Sequence, residues 1–191
     1  MLRPVTPGGI PKNAAAVSAA RRFVELMRLR PETPRATDRV AVIGFNDRAW
    51  FETGLSPDQG TVLAGLDRVA AVAEEGTRLD LALRAAQEAL QVARPPGTAS
   101  VAVLLTDGLP NRVPTPVGGG SQEETVLAAA DSLKGAGVRV ITVGVGQDDD
   151  LLHWLLAAVA SKPTDYYFAP DSSDLVSVYE QIAGDVRTCR R

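Results

Sequence analysis

An aspartate that directly follows a long apolar run is the residue of this sequence best placed to do chemistry. Asp107 comes after the run 99–106, and the short loop Gly108-Leu109-Pro110-Asn111 comes after it. In open α/β sheets, ligands bind outside the carboxyl ends of the strands, so a carboxylate here lies at the edge where a site is built. Gly108 allows backbone or ligand to approach closely. Taken alone, the same pattern also fits an aspartate that only caps a turn.

Three other features are weaker candidates for ligand sites. Gly144-Val145-Gly146 lacks the third glycine of a dinucleotide fingerprint and fits a tight turn at the end of a strand. The run Asp148-Asp149-Asp150 lacks the spacing of a calcium loop, and acids that open a helix complement its dipole. His153 lies within an apolar helical segment and is the one histidine of the chain. We therefore interpret it as structural.

The composition is typical of one globular domain without catalytic metal clusters. The chain has 191 residues, 45% hydrophobic and 23% charged, with a net charge of −3 and no basic stripe, which argues against nucleic acid as a partner. Cys189 is alone, so neither an internal disulfide nor a Cys/His metal cluster is available. No membrane span is visible, and we expect no membrane insertion. We expect a loop over 1–12, a domain over 13–188 and a tail over 189–191.

Strand-like and helix-like segments alternate along the chain, which predicts an α/β fold with a doubly wound, mostly parallel sheet and helices on both faces. Apolar runs, nearly continuous within 39–45 and continuous at 99–106, are typical of strands covered on both faces and predict two strands. A further strand is predicted at 138–143, with short strands at 50–55, as an antiparallel edge, and at 165–168. Apolar stripes predict helices at 13–30, 56–73, 121–135 and 148–160 and from 175 onward. One more helix is predicted from the stripe of Leu79, Leu83, Ala86 and Leu90.

Helix-start signals support these boundaries. Asn13 is predicted to cap the first helix. The segment Ser56-Pro57-Asp58-Gln59 predicts a second start, with Ser56 as the cap and proline in the first turn. Ser121 and Glu124 form the sequence signature of a capping box.

Five segments, in order and at sensible spacing, resemble the motifs of von Willebrand factor type A (VWA) domains. Leu104 to Asn111 resembles that family's fourth strand with its acidic residue, and Gly76 to Leu83 resembles its threonine loop and following helix. The family's second, fifth and sixth strands resemble the segments 40–47, 140–146 and 165–170. The resemblance covers residues 13 to 188 and implies a Rossmann-like VWA fold.

The resemblance implies a divalent metal site at the carboxyl edge of the sheet. Thr77 matches the family's ligating threonine and Asp107 its acidic residue. The third loop of the site, an Asp-x-Ser-x-Ser motif after the first strand, is not in this sequence, where no acidic residue precedes Glu25. Mg²⁺ takes roughly six oxygen ligands. Two protein ligands would hold Mg²⁺, Mn²⁺ or Ca²⁺ poorly, so we expect binding by this chain to be weak or absent.

The resemblance also implies that the family's central first strand is missing. Three explanations are open: a start recorded too late, a fragment, or a natural chain whose missing strand is supplied by a partner or whose sheet is re-paired. We favour a late start, because many relatives have a methionine after the serine motif and Met1 falls at that position. Strand edges left without a partner would allow self-association.

The function that the resemblance implies is protein–protein binding or adhesion without catalysis. A Glu or Asp of the partner would complete the shell of a metal held by Thr77 and Asp107. One alternative is a metal-independent interaction module. Another is a metal-assisted hydrolase that uses Asp107, which requires a positioned base that the sequence does not reveal. The family favours the cell envelope, the cell surface or secretion, and a cytoplasmic location stays open.

Overall fold

The computed structural model describes residues 12–30, 32, 37–72, 76–92, 98–117, 119–146 and 148–188. The loop predicted over 1–12, except for Lys12, and the tail predicted over 189–191 lie outside these residues. The helices are α1 Lys12–Leu26, α2 Gln59–Ala71, α3 Leu79–Val92, α4 Gln122–Gly135, α5 Asp150–Val159 and α6 Leu175–Thr188. The strands are β1 Val40–Phe45, β2 Ala49–Ser56, β3 Ser100–Thr106, β4 Val138–Val145 and β5 Tyr166–Ala169. Within the described residues, no helix has the length and apolar content needed to cross a bilayer.

The strands form two sheets, which confirms the predicted α/β class with a parallel sheet and an antiparallel pair. β1 pairs with β2, and the second sheet has the order β3–β4–β5. In the second sheet all pairs are parallel, with Ser100 opposite Val138 and Thr142 opposite Tyr166. Among the described residues, no strand pairs with both β1 and β3.

The chain divides into two compact units. Among the described residues, the first contains 12–30, 32, 37–44, 51–72 and 171–188, and the second contains 45–50, 76–92, 98–117, 119–146 and 148–170. In the first unit α1 packs against α2 and α6. Its core contains Val24, Val42 and Val62, and the ring edge of Phe23 contacts Tyr179 with centroids 6.0 Å apart.

The core of the second unit is built on β4, whose last six residues are all buried. Burial on both faces explains why the residues of β4 are mostly apolar and do not alternate with polar ones. Helices α4 and α5 pack against β4, and α3 packs against α4 and β3. The core side chains of these helices are almost completely inaccessible, namely Leu79, Leu83, Val126, Leu133, Leu155 and Val159. The predicted stripe of α3 is therefore confirmed at Leu79 and Leu83.

The predicted start of α2 is wrong by two residues. Asp58, not Ser56, is the N-cap: its carboxylate accepts hydrogen bonds from the Thr61 amide at 2.8 Å and the Thr61 hydroxyl at 2.5 Å. A carboxylate at this position also complements the helix dipole, which a serine hydroxyl does not. Ser56 instead ends β2, and its hydroxyl accepts from the Asp58 amide.

Helix α1 includes Asn13 and ends at Leu26, four residues before the predicted end at Arg30. The chain after Leu26 bonds to a distant segment instead of continuing the helix. The Arg28 amide donates to the Asp38 carboxylate at 2.8 Å, and the Arg30 amide donates to the Thr37 hydroxyl at 2.6 Å. By contrast, the capping box of Ser121 and Glu124 at the start of α4 is confirmed.

Candidate functional site

Three loops of the second unit meet at one place, and we call them the loop cluster. They are Asn46 to Arg48 after β1, Gly76 to Arg78 before α3, and Asp107 to Arg112 after β3. The Arg78 amide donates to the Asn46 carbonyl at 2.9 Å, which joins the first two loops. Asn46 is buried, and its side-chain oxygen accepts from the Arg48 amide, so the turn after β1 is fixed.

Thr77 and Asn111 join the second loop to the third. They form an isolated antiparallel bridge, in which the Asn111 amide donates to the Thr77 carbonyl at 3.2 Å. The Thr77 amide donates to the Asn111 side-chain oxygen at 2.9 Å, and the Asn111 side-chain nitrogen lies 3.5 Å from the Thr77 hydroxyl. Asn111 therefore holds Thr77 through its backbone and through its side chain.

A glycine and an ion pair connect the first loop to the other two. Gly76 has φ +120°, and a Cβ there would lie 1.9 Å from the Asp47 Oδ1 and 2.6 Å from the Asp47 amide nitrogen. Arg112, with φ +57°, is the one non-glycine residue at positive φ among the described residues. Its guanidinium forms an ion pair with the Asp47 carboxylate. Close packing and charge therefore hold all three loops in one arrangement.

Asp107 lies where β3 ends, as the sequence predicts for a residue at the carboxyl edge of a strand. It is partly exposed, and the preceding Thr106 is 3% exposed. The Thr106 hydroxyl donates to the Gly108 carbonyl at 3.0 Å, which tightens the turn directly after Asp107. Asp107 and Thr77 thus belong to loops that the Thr77–Asn111 bridge ties together.

Arg78 and Asp80 anchor the threonine loop to the start of α3. The Arg78 Nε and Nη2 donate to the two Asp80 oxygens at 2.8 and 2.9 Å, and Asp80 is 3% exposed. Burial raises the pKa of the Asp80 carboxyl, but the hydrogen bonds and charge of Arg78 outweigh burial and leave that pKa below its ordinary value of 3.8. The same hydrogen bonds stabilise the charged guanidinium and therefore raise the pKa of Arg78 above its ordinary value.

Asp80→Asn is expected to destabilise the fold in a pH-dependent way. Because the folded pKa of Asp80 is lowered, its stabilisation is complete above about pH 3.8 and is lost as the pH falls through the folded pKa. We expect the variant to lose roughly 1–3 kcal/mol at pH 7. Chemical denaturation should show that the free energies of unfolding of the variant and the wild type differ less at pH 3 than at pH 7. An equal difference at both pH values would contradict the ionised pair.

The loop cluster offers oxygen atoms, which are the ligands that a hard cation prefers, but fewer of them than such a cation requires. The oxygen ligands predicted from the sequence are the Thr77 hydroxyl and the Asp107 carboxylate, whereas Asp47 and Asp80 are each engaged by an arginine. Within the described residues, no group of three or more His, Cys, Asp or Glu side chains is placed to hold a metal ion. Thr77 and Asp107 are thus two oxygen donors of the kind that a hard cation binds, fewer than the roughly six that Mg²⁺ takes.

The weaker candidates from the sequence have structural contacts. The Asp149 carboxylate caps α5 by accepting from the Leu152 amide at 2.9 Å. Gly146, with φ +98°, donates its amide to the Ala169 carbonyl at the end of β4. His153 shares hydrogen bonds with Tyr166 and Asp148, and its ring contacts Phe168 with centroids 4.4 Å apart. These contacts fit the interpretation of His153 as structural.

Sequence patterns did not predict that Asn111, Arg112 and Asp47 hold the loop cluster together. Arg112 and Asp47 lie 65 positions apart, so no local pattern connects them. A signal existed at Asn111, because asparagine after Gly and Pro is typical of a turn whose side chain bonds to backbone.

Comparisons with known proteins agree with this fold. Residues 12–181 match the von Willebrand factor type A domain. A comparison with the curated proteins finds no match. Similar solved structures include the vWF domain of the type V pili tip protein Mfa5 from Porphyromonas gingivalis, with TM-score 0.77 and 12% identity, covering 94% of this chain and 89% of that one.

Two further structures are similar over most of this chain. The pilus adhesin SpaC from Lactobacillus rhamnosus GG, in its open conformation, has TM-score 0.75 and 17% identity, over 91% of this chain and 28% of that chain. Proximal thread matrix protein 1 from the mussel byssus, with a zinc-occupied MIDAS motif, has TM-score 0.74 and 18% identity, over 92% of this chain and 43% of that chain. At these identities the likeness establishes the fold.

Proposed function

This chain belongs to the von Willebrand factor type A domain family, and we propose that it is a non-enzymatic protein-binding module of adhesive type. The observation that carries the proposal is the loop cluster. Its three loops are fixed by Gly76, by the Thr77–Asn111 bridge and by the Arg112–Asp47 pair. A rigid polar edge loses little conformational entropy on binding, which favours recognition of a partner.

We assign Thr77 and Asp107 as the residues of this chain that contact a divalent metal, Mg²⁺, Mn²⁺ or Ca²⁺. When bound, the metal would supply a positive centre for a carboxylate of the partner protein. Asn111 would orient Thr77, because it bonds to the Thr77 amide and carbonyl. Because this chain supplies two ligands, we expect its affinity for the metal to be weak in the absence of the partner.

A metal-independent module is the second candidate, and the arginines of the loop cluster favour it. Arg112 is 57% exposed at its side chain and lies against Asp47, so the cluster already contains a guanidinium at its surface. Arginine forms bidentate hydrogen bonds with carboxylates. An acidic residue of a partner could therefore bind this surface without a metal.

The proposed location is the cell surface or envelope. Support comes from the similar pilus tip and pilus adhesin structures, which are likenesses of fold. The proposed partner is a protein that presents a Glu or Asp side chain.

Titration calorimetry with Mg²⁺ and Mn²⁺ separates the two candidates. We expect weak binding by the wild type, reduced at least roughly tenfold in Asp107→Ala because a charged ligand is lost. Asp131→Ala is the matched control, since it removes an exposed aspartate of the same unit. Binding unchanged in Asp107→Ala would refute the assignment of Asp107. No heat of binding in the wild type would favour the metal-independent module.

A further inference from the structure

The outward face of α5 carries an unusual pair of exposed apolar side chains. Leu152, Leu155, Leu156 and Val159 are buried in the core of the second unit, whereas side chains on the opposite face of α5 are exposed. Leu151 is 45% exposed and Trp154, one turn later, is 52% exposed. The other large apolar side chains exposed among the described residues, Phe51, Val117 and Val176, lie on other elements.

Small residues continue this face towards the end of the helix. Ala157 and Ala158 lie three and four positions after Trp154, which is the spacing of neighbours on one helix face. Ala157 is exposed and Ala158 partly exposed. The face therefore presents the large ring of Trp154 and, one turn later, the small side chains of Ala157 and Ala158.

The two ends of the face have opposite charge. Asp148, Asp149 and Asp150 are exposed at the start of α5. At the other end, Lys162, 57% exposed and 4.0 Å from the Asp165 carboxylate, follows the helix, whereas Lys134 is already paired with Asp131 at 3.1 Å. Along the chain direction, the face thus begins with aspartates, continues with apolar side chains and ends at the exposed Lys162.

We propose that this face binds the same face of a second copy of the chain, with the two α5 helices antiparallel. A two-fold axis level with Leu156 places Asp150 opposite the region of Lys162, and Trp154 opposite Ala158. Each acidic end then meets a basic end, and each large ring meets a small residue. Such self-complementarity is what a two-fold interface requires, because one surface serves both partners.

The size of the surface sets the expected strength. One helix pair buries less than the roughly 1,200–2,000 Å² of a stable specific interface. We therefore expect a weak dimer, with a dissociation constant of roughly 10 µM to 1 mM. Trp154 is the expected centre of the contact, because exposed tryptophans dominate interface energetics.

Sedimentation equilibrium between roughly 10 µM and 1 mM protein tests the proposal. We expect the wild type to dimerise and the dissociation constant of the Trp154→Glu dimer to be at least roughly tenfold higher. Val117→Glu is the matched control, since Val117 is exposed but lies elsewhere, and it should dimerise as wild type does. Circular dichroism checks that each variant is folded.

Charge reversal tests the antiparallel register. Asp150→Lys and Lys162→Asp should each weaken dimerisation, because like charges then meet at both ends of the interface. An equimolar mixture of the two variants should dimerise as strongly as wild type, since both ends are again complementary. A monomeric wild type at about 1 mM, self-association retained in Trp154→Glu, or a mixture no stronger than the single variants would overturn the proposal. Retained self-association would point to the strand edges or to another surface.

Discussion

Gly76→Ala is expected to destabilise the protein by about 3 kcal/mol or more and to disorder the threonine loop. Two independent penalties act at this position. The backbone has φ +120°, where an L side chain is strained. The new Cβ would also lie 2.6 Å from the Asp47 amide nitrogen, a main-chain atom that no side-chain rotation can move.

Chemical denaturation measures the loss of stability, and Gly108→Ala is the matched control. Gly108 lies in the same loop cluster, but a Cβ there meets no atom within 4 Å. We expect this control to stay within roughly 1 kcal/mol of wild type. Equal stability of the two variants would show that the close approach of Gly76 to Asp47 does not exist in solution.

Loss of Asp165 is the second large effect that we expect. Asp165 is completely buried, and its two oxygens accept from the Arg139 Nε at 3.0 Å and Nη2 at 2.5 Å. Asp165→Ala would leave a largely buried guanidinium without its bidentate partner, which costs roughly 3–5 kcal/mol. The residue precedes β5, so we expect that strand to lose protection against hydrogen exchange first.

Thermal or chemical denaturation checks this prediction against an exposed ion pair. Asp131, whose side chain is 73% exposed, pairs with Lys134 at 3.1 Å, and Asp131→Ala should cost less than about 1 kcal/mol. The double variant Asp165→Ala with Arg139→Met should be more stable than Asp165→Ala alone, because the uncompensated charge is gone. A double variant less stable than Asp165→Ala would contradict this mechanism.

Local signals predicted local structure well. The capping box of Ser121 and Glu124 lies within four residues, so its hydrogen bonds are readable from the sequence. The apolar run 99–106 likewise predicted a strand, which the structure has as β3, Ser100–Thr106. Both features depend on neighbours along the chain rather than on tertiary contacts.

Boundaries that depend on distant contacts could not be predicted. The end of α1 is set by Thr37 and Asp38, which bond to the chain after Leu26. At the start of α2, Ser56 and Asp58 are both able to cap, and only the bonds to Thr61 identify Asp58. Propensity alone ranks these two residue types almost equally.

The same limit applies to the candidate site. Asp107 and Thr77 could be predicted as candidates because each lies in a motif of contiguous residues. Their surroundings could not be predicted, because Asp47, Gly76 and Arg112 meet only through the fold.

Binding at the loop cluster is tested most directly by nuclear magnetic resonance of ¹⁵N-labelled protein with substoichiometric Mn²⁺, which broadens nearby amide signals. We predict selective broadening at Thr77, Asp107 and Gly108, and its loss in Asp107→Ala. The run Asp148 to Asp150 serves as an internal reference for adventitious binding to exposed carboxylates. Broadening confined to that run, or unchanged in Asp107→Ala, would contradict a metal-dependent binding edge at the loop cluster.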